Sequence, residues 1–149
     1  MSLPLFTARP VLQRRARGGE MIYKGTRTER GCVVTVDGRP LDPRNKVRNH
    51  SPDGFEWGYA GSGPAQLALA ILCAHYAVPP SAREPGMLEV GSPGFNDTPI
   101  GKALYAYQRF KALCVQHLPR DGWELHGGHV KAFLKAIQEE RPESPYLVV

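Results

Sequence analysis

Arg48, His50 and Glu56 lead into a glycine-flanked serine, Gly61-Ser62-Gly63, followed by Pro64 and Gln66. A guanidinium, an imidazole, a hydroxyl and free backbone N–H groups are the donors that hold an anion at a helix start. Within the run from Arg48 to Leu72, RNHSPDGFEWGYAGSGPAQLALAIL, Phe55, Trp57 and Tyr59 alternate at the period of a half-buried strand. That places Glu56 and Gly58 on the other face. Gly61 and Gly63 permit positive φ in a tight turn, Ser62 or Gly63 can cap, and Pro64 is tolerated in the first helical turn. A plainer reading also stands, in which the glycines only let a strand reverse into a helix. The turn is not a Walker A loop, and it is not G-x-G-x-x-G, because Gln66 stands three beyond Gly63.

Catalysis and metal binding are weaker readings. Ser62 with His50 and Glu56 or Asp53 contains the residue types of a hydrolytic triad, but Ala60 occupies the place where G-x-S-x-G needs its first glycine. Cys114, His117, His126 and His129 form C-x2-H…H-x2-H, yet Cys114 falls in an apolar helical stripe and His129 near a helix start. No metal, cofactor or catalytic residue is expected. Glu56 either contacts a ligand or pairs with an arginine such as Arg39 or Arg48. Trp57 and Tyr59 would stack on bases if exposed and otherwise belong to the core.

The elements that must position these groups fit one α+β domain. Its 149 residues, 42% of them hydrophobic, suffice for one core. β-Favourable stretches lie at Met21–Arg27, Cys32–Val36 and Arg39–Leu41, with Asp37-Gly38 as a hairpin turn. A helix from Pro64 is apolar nearly all round and therefore buried. A second starts at Thr98-Pro99 and repeats Ile100, Ala103, Leu104, Tyr107, Cys114 and Leu118 on one face; a last one carries Val130, Phe133, Leu134 and Ile137. The expected fold is a small, mainly antiparallel sheet from the first 60 residues, packed against about three helices. A basic arm (1–20) precedes the domain (21–140), and a tail (141–149) follows. A Pro/Gly-rich loop at about 79–98 interrupts it, its Met87, Leu88, Val90 and Phe95 available to pack it onto the body.

Charge is unevenly placed. Residues 1–50 hold 11 of the 19 lysines and arginines but 4 of the 14 acidic groups. Arg9, Arg14, Arg15 and Arg17 lie in the arm, and Arg44, Lys46 and Arg48 form a second cluster. Such a concentration suits an anionic partner, nucleic acid above all, or else a solvated tail. The longest apolar stretch, Leu67–Ala74, is far below the roughly 20 residues that span a bilayer, so no membrane is expected. No hydrophobic leader precedes the arginines, and three widely spaced cysteines, Cys32, Cys73 and Cys114, suit reduced thiols. The expectation is a cytoplasmic protein translated from Met1 or Met21.

The central run, together with Tyr23-Lys24-Gly25, VTVDGRPLDPR, YQRFK at Tyr107–Lys111 and DGWEL at Asp121–Leu125, resembles an uncharacterised family of small domains from prokaryotes, their plasmids and their phages. The resemblance covers most of residues 21–137, and the stretch at about 79–98 looks like an insertion. It carries no catalytic role onto any residue. It implies a setting in mobile genetic elements, with roles in replication, DNA handling or interference with host defence. The sequence therefore points to a non-enzymatic binding protein for nucleic acid or a phosphate-bearing ligand. Arg48, His50, Glu56, Gly61, Ser62, Gly63 and Gln66 would form the ligand site, with Arg9, Arg14, Arg15, Arg17, Arg44 and Lys46 adding phosphate contacts. The alternatives are an inhibitor of a host defence complex and, more weakly, a small hydrolase or transferase.

Overall fold

The computed structural model describes residues 20–140. Four strands, β1 (Ile22–Thr28), β2 (Gly31–Val36), β3 (Arg39–Pro40) and β4 (Gly122–His126), form an antiparallel sheet in the order β3-β2-β1-β4. Three long helices, α1 (Ser62–His75), α3 (Pro99–Leu113) and α4 (Gly127–Glu140), accompany it, with α2 (Met87–Val90) a single turn in the proline-rich stretch. The fold is α+β, as its pattern of alternating and helical segments predicts. Among the described residues no helix is long and apolar enough to cross a membrane.

The β2–β3 hairpin turns where Asp37-Gly38 predicts it. Both residues are left-handed, at φ 51° and 81°, as a two-residue hairpin of matching twist requires. Asp37 Oδ1 also accepts a hydrogen bond from the Ile22 amide at 2.9 Å, tying the turn to β1. On the inner face of the sheet Tyr23, Gly25, Val34, Trp123 and Leu125 are buried. Gly25 stands opposite both Val34 and Trp123, and a Cβ there would lie 2.3 Å from the Trp123 indole. The glycine is thus the space into which the ring folds.

Helix α1 is buried from Gly63 to Cys73, which explains its lack of a polar face. The Tyr23 hydroxyl reaches the Ile71 carbonyl at 3.4 Å from the sheet side, and α3 packs along the helix. Burial, with the nearby Asp37 carboxylate, pushes the Tyr23 phenol well above its ordinary value. Helix α3 begins as Thr98-Pro99 predicts, the Thr98 hydroxyl accepting from Gly101 N at 3.1 Å. Phe110 and Phe133 meet edge to face at 5.9 Å and join α3 to α4.

Three expectations are corrected. Phe55–Tyr59 forms no strand, and the fourth strand comes instead from Gly122–His126, so the sheet does not arise from the first 60 residues alone. Trp57 turns inward to meet Trp123 edge-on at 5.5 Å, and Gly58, at φ 86°, then bends the chain and leaves Tyr59 exposed. Positive φ therefore falls at Gly58 and Gly54, whereas Gly61 is extended and Gly63 lies inside the helix. In the proline-rich stretch Phe95 is buried, but Met87 and Leu88 are 92% and 93% exposed and do not pack on the body.

Gly25→Ala is expected to destabilise the domain by about 1–3 kcal/mol, because the added Cβ would overlap the indole of a Trp123 that is itself buried. Urea denaturation measures it. An unchanged midpoint would mean that the indole moves aside freely.

Candidate functional site

The segment between β3 and α1 has little secondary structure, and one side chain from α1 shapes it. Gln66 is fully buried. Its Oε1 accepts from the His50 and Ser51 amides at 2.7 and 3.1 Å, and its Nε2 donates to the Pro43 and Arg48 carbonyls at 2.6 and 3.0 Å. Both acceptor positions and both donors of the carboxamide are thereby used. Gln66 is therefore a clamp on the loop, and no group of it is left for a ligand.

Arg44 clamps the same loop from the other direction. It is 6% exposed and left-handed at φ 61°, a conformation that costs a non-glycine residue about 1–2 kcal/mol. Its guanidinium donates to the Val78 carbonyl at 2.7 Å and the Asp42 carbonyl at 3.0 Å, which offsets that strain. A side chain so enclosed does not offer the phosphate contact expected of it. Lys46 remains exposed, and Arg9, Arg14, Arg15 and Arg17 lie outside the described residues.

The clamped loop delivers Arg48 and His50 to α3. His50 Nε2 lies 2.8 Å from the Tyr107 hydroxyl, and Arg48 Nη1 lies 3.4 Å from the same oxygen. Arginine can only donate, so the tyrosine oxygen accepts from Arg48, and its own hydroxyl is free to donate to an unprotonated His50 Nε2. In this arrangement the imidazole is neutral and carries its proton on Nδ1. Burial lowers the His50 pKa from 6.5, and the charges of Arg48 and Lys111 lower it further. Lys111 is one helical turn beyond Tyr107, on the same side of α3. Because the unfolded chain takes up the proton more readily, His50 subtracts stability as pH falls below 6.5 and has no effect well above it. Arg48 Nε also meets Glu84 Oε2 at 3.4 Å. Arg48 and His50 thus meet on one buried hydroxyl, with Lys111 a helical turn away, residue types able to receive an anion.

The remaining candidates belong elsewhere. Glu56 is the bidentate partner of Arg27, at 3.0 and 3.1 Å, rather than of Arg39 or Arg48. Arg27 also donates to the Arg120 carbonyl at 3.0 Å and lies 5.1 Å above the Trp57 ring, whose indole N–H shares that carbonyl. The Arg27 guanidinium holds the Glu56 carboxyl below its ordinary range, so this pairing contributes stability above that range and loses it as acid protonates Glu56. A Cβ on Gly63 would lie 2.6 Å from that of Glu56, so the glycine permits the carboxylate-bearing chain to cross the first turn of α1. Ser62 is exposed in the first turn without capping it, since Gly61 is the N-cap and no side chain bonds there.

The histidines near β4 make their own contacts. His126 Nε2 meets Glu124 Oε2 at 2.5 Å, and His129 Nδ1 accepts from the His126 amide at 3.1 Å, while Cys114 is enclosed in the core. Burial, aided by His126, lowers the His129 pKa. Among the described residues no three histidine, cysteine, aspartate or glutamate side chains converge as metal ligands do.

Sequence reasoning missed Tyr107, Lys111, Glu84 and Arg27 as parts of these clusters. The available signals were a tyrosine in an apolar stripe, whose hydroxyl needs a partner, and a lysine at i+4 from it. Replacing Gln66 by leucine is expected to cost about 2–4 kcal/mol, because two amides and two carbonyls lose their partners together. Chemical denaturation measures this, and a loss below about 0.5 kcal/mol would show that other contacts hold the loop.

Residues 23–84 match the model of a family of unknown function, DUF6166, a stretch that contains Arg27, Arg48, His50, Glu56, Gln66 and Glu84 and stops before Tyr107. No curated protein and no solved structure matches the chain. From β1 to the end of the clamped loop and its Arg48 partner, the chain is similar to that family.

Proposed function

We propose that the domain is a non-enzymatic binding protein that holds a phosphate-bearing ligand or nucleic acid at Arg48, His50, Tyr107 and Lys111. The observation that carries this reading is the meeting of Arg48 and His50 on the Tyr107 hydroxyl, with Lys111 one turn further along α3. Like charges gathered at partly buried groups favour the arrival of an anion, which relieves their repulsion. An anion there would also restore a proton to His50 and make it a further donor. Exposed Lys46, two residues from Arg48, extends the positive surface. The glycine turn serves this site through structure alone, since Gly63 leaves room for Glu56 to cross the first turn of α1.

A second reading, a protein-binding inhibitor acting on a host defence complex, draws support from Met87 and Leu88. Side chains of this size at 92% and 93% exposure on one short helix are unusual on a surface that meets only water. The mobile-element setting rests on the resemblance of the central run. The two readings differ in salt dependence, because phosphate contacts release counterions and apolar contacts do not.

Binding of a single-stranded oligonucleotide is expected to weaken steeply as salt rises. In the double variant Arg48→Ala, Lys111→Ala, affinity should fall about tenfold or more and the salt slope by about 1–2 contacts, with little change in melting temperature. Fluorescence anisotropy across a salt series reads both. Equal affinity and slope in a folded double variant would remove these residues from the function.

A further inference from the structure

Arg48 presents two kinds of edge. Nη1 reaches Tyr107 on α3, whereas Nε faces the Glu84 carboxylate at 3.4 Å. The Nε side of a guanidinium forms one of its paired, two-bond contacts with phosphate or carboxylate, so Glu84 stands where a ligand's oxygens would approach. Its hold is weak: the pair is long, and its side chains are 39% and 58% exposed. Glu84 belongs to the proline-rich stretch, and its amide donates to the Lys46 carbonyl at 3.0 Å. The backbone thereby keeps the carboxylate beside the cationic loop, three residues before the exposed α2 begins.

We propose that Glu84 is the built-in counter-anion of this site, occupying Arg48 until a ligand phosphate displaces it. The inference rests on the anion-binding reading above and adds a regulator to it. Arriving phosphate exchanges with a weak intramolecular carboxylate and not with water alone, so affinity is set partly by Glu84.

Calorimetric titration of inorganic phosphate into the wild type, Glu84→Gln, Glu89→Gln and the double variant Arg48→Ala, Glu84→Gln tests this. Glu89 lies on α2 and its replacement removes the same charge without touching Arg48, so it controls for net charge. Glu84→Gln should bind about two- to fivefold more tightly than the wild type, the range an exposed ion pair can supply. Glu89→Gln should bind as the wild type does, and the gain should vanish without Arg48. No gain in Glu84→Gln, or an equal gain in Glu89→Gln, overturns the counter-anion while leaving an Arg48-dependent site intact. Absence of binding in every protein overturns the site and the counter-anion together.

Discussion

Four hydrogen bonds to the carboxamide of Gln66 hold the loop that carries Arg48 and His50. The side chain projects from a helix buried along its whole apolar length, so its amide cannot turn to water. It meets the loop between Pro43 and Ser51 and satisfies two amides and two carbonyls of its backbone. Helix, loop and site are linked in this way: α1 holds the amide, the amide holds the loop, and the loop brings Arg48 and His50 to Tyr107. Arg44 reinforces the link from the end of α1 and tolerates an unfavourable backbone conformation to do so.

Charged residues in the domain divide by what they face. Arg27 and Glu56 satisfy each other in a bidentate pair, share a carbonyl with Trp57, and brace the aromatic contact between Trp57 and Trp123. Arg44 is enclosed by carbonyls. Arg48 and Lys111, by contrast, bear on a histidine that they help to keep neutral, and the partner of Arg48 is a distant, exposed carboxylate. Neutralised groups of the first kind stabilise the fold. Groups of the second kind are the ones the proposed anion site draws on.

Periodicity made much of the fold legible. The hairpin at Asp37-Gly38, the cap at Thr98 and the all-apolar α1 each follow from local chemistry that tertiary packing did not override. Phe55–Tyr59 was misread because three alternating aromatics imitate a strand, while their spacing in fact reflects one ring turned into the core and a glycine bend after it. The fourth strand was hard to see because its partner is about 100 residues earlier, and local pattern carries no information about such pairing. Within the site, Arg48 and His50 were legible as neighbours of a structured turn. Gln66 was legible as important but misassigned, since a polar residue inside an apolar helix signals an internal hydrogen bond more directly than a ligand. Tyr107, Lys111 and Glu84 come from other elements, and their meeting with Arg48 and His50 is a property of the folded chain alone.

The central claim is that Arg48, His50, Tyr107 and Lys111 form an anion site whose histidine is held neutral by its surroundings. NMR titration of the His50 imidazole, with and without inorganic phosphate, tests it most directly. The free protein should show a pKa below the ordinary 6.5 with the proton on Nδ1, and phosphate should move that pKa upward, because a bound anion favours the imidazolium. An ordinary pKa that phosphate leaves unmoved would contradict the account.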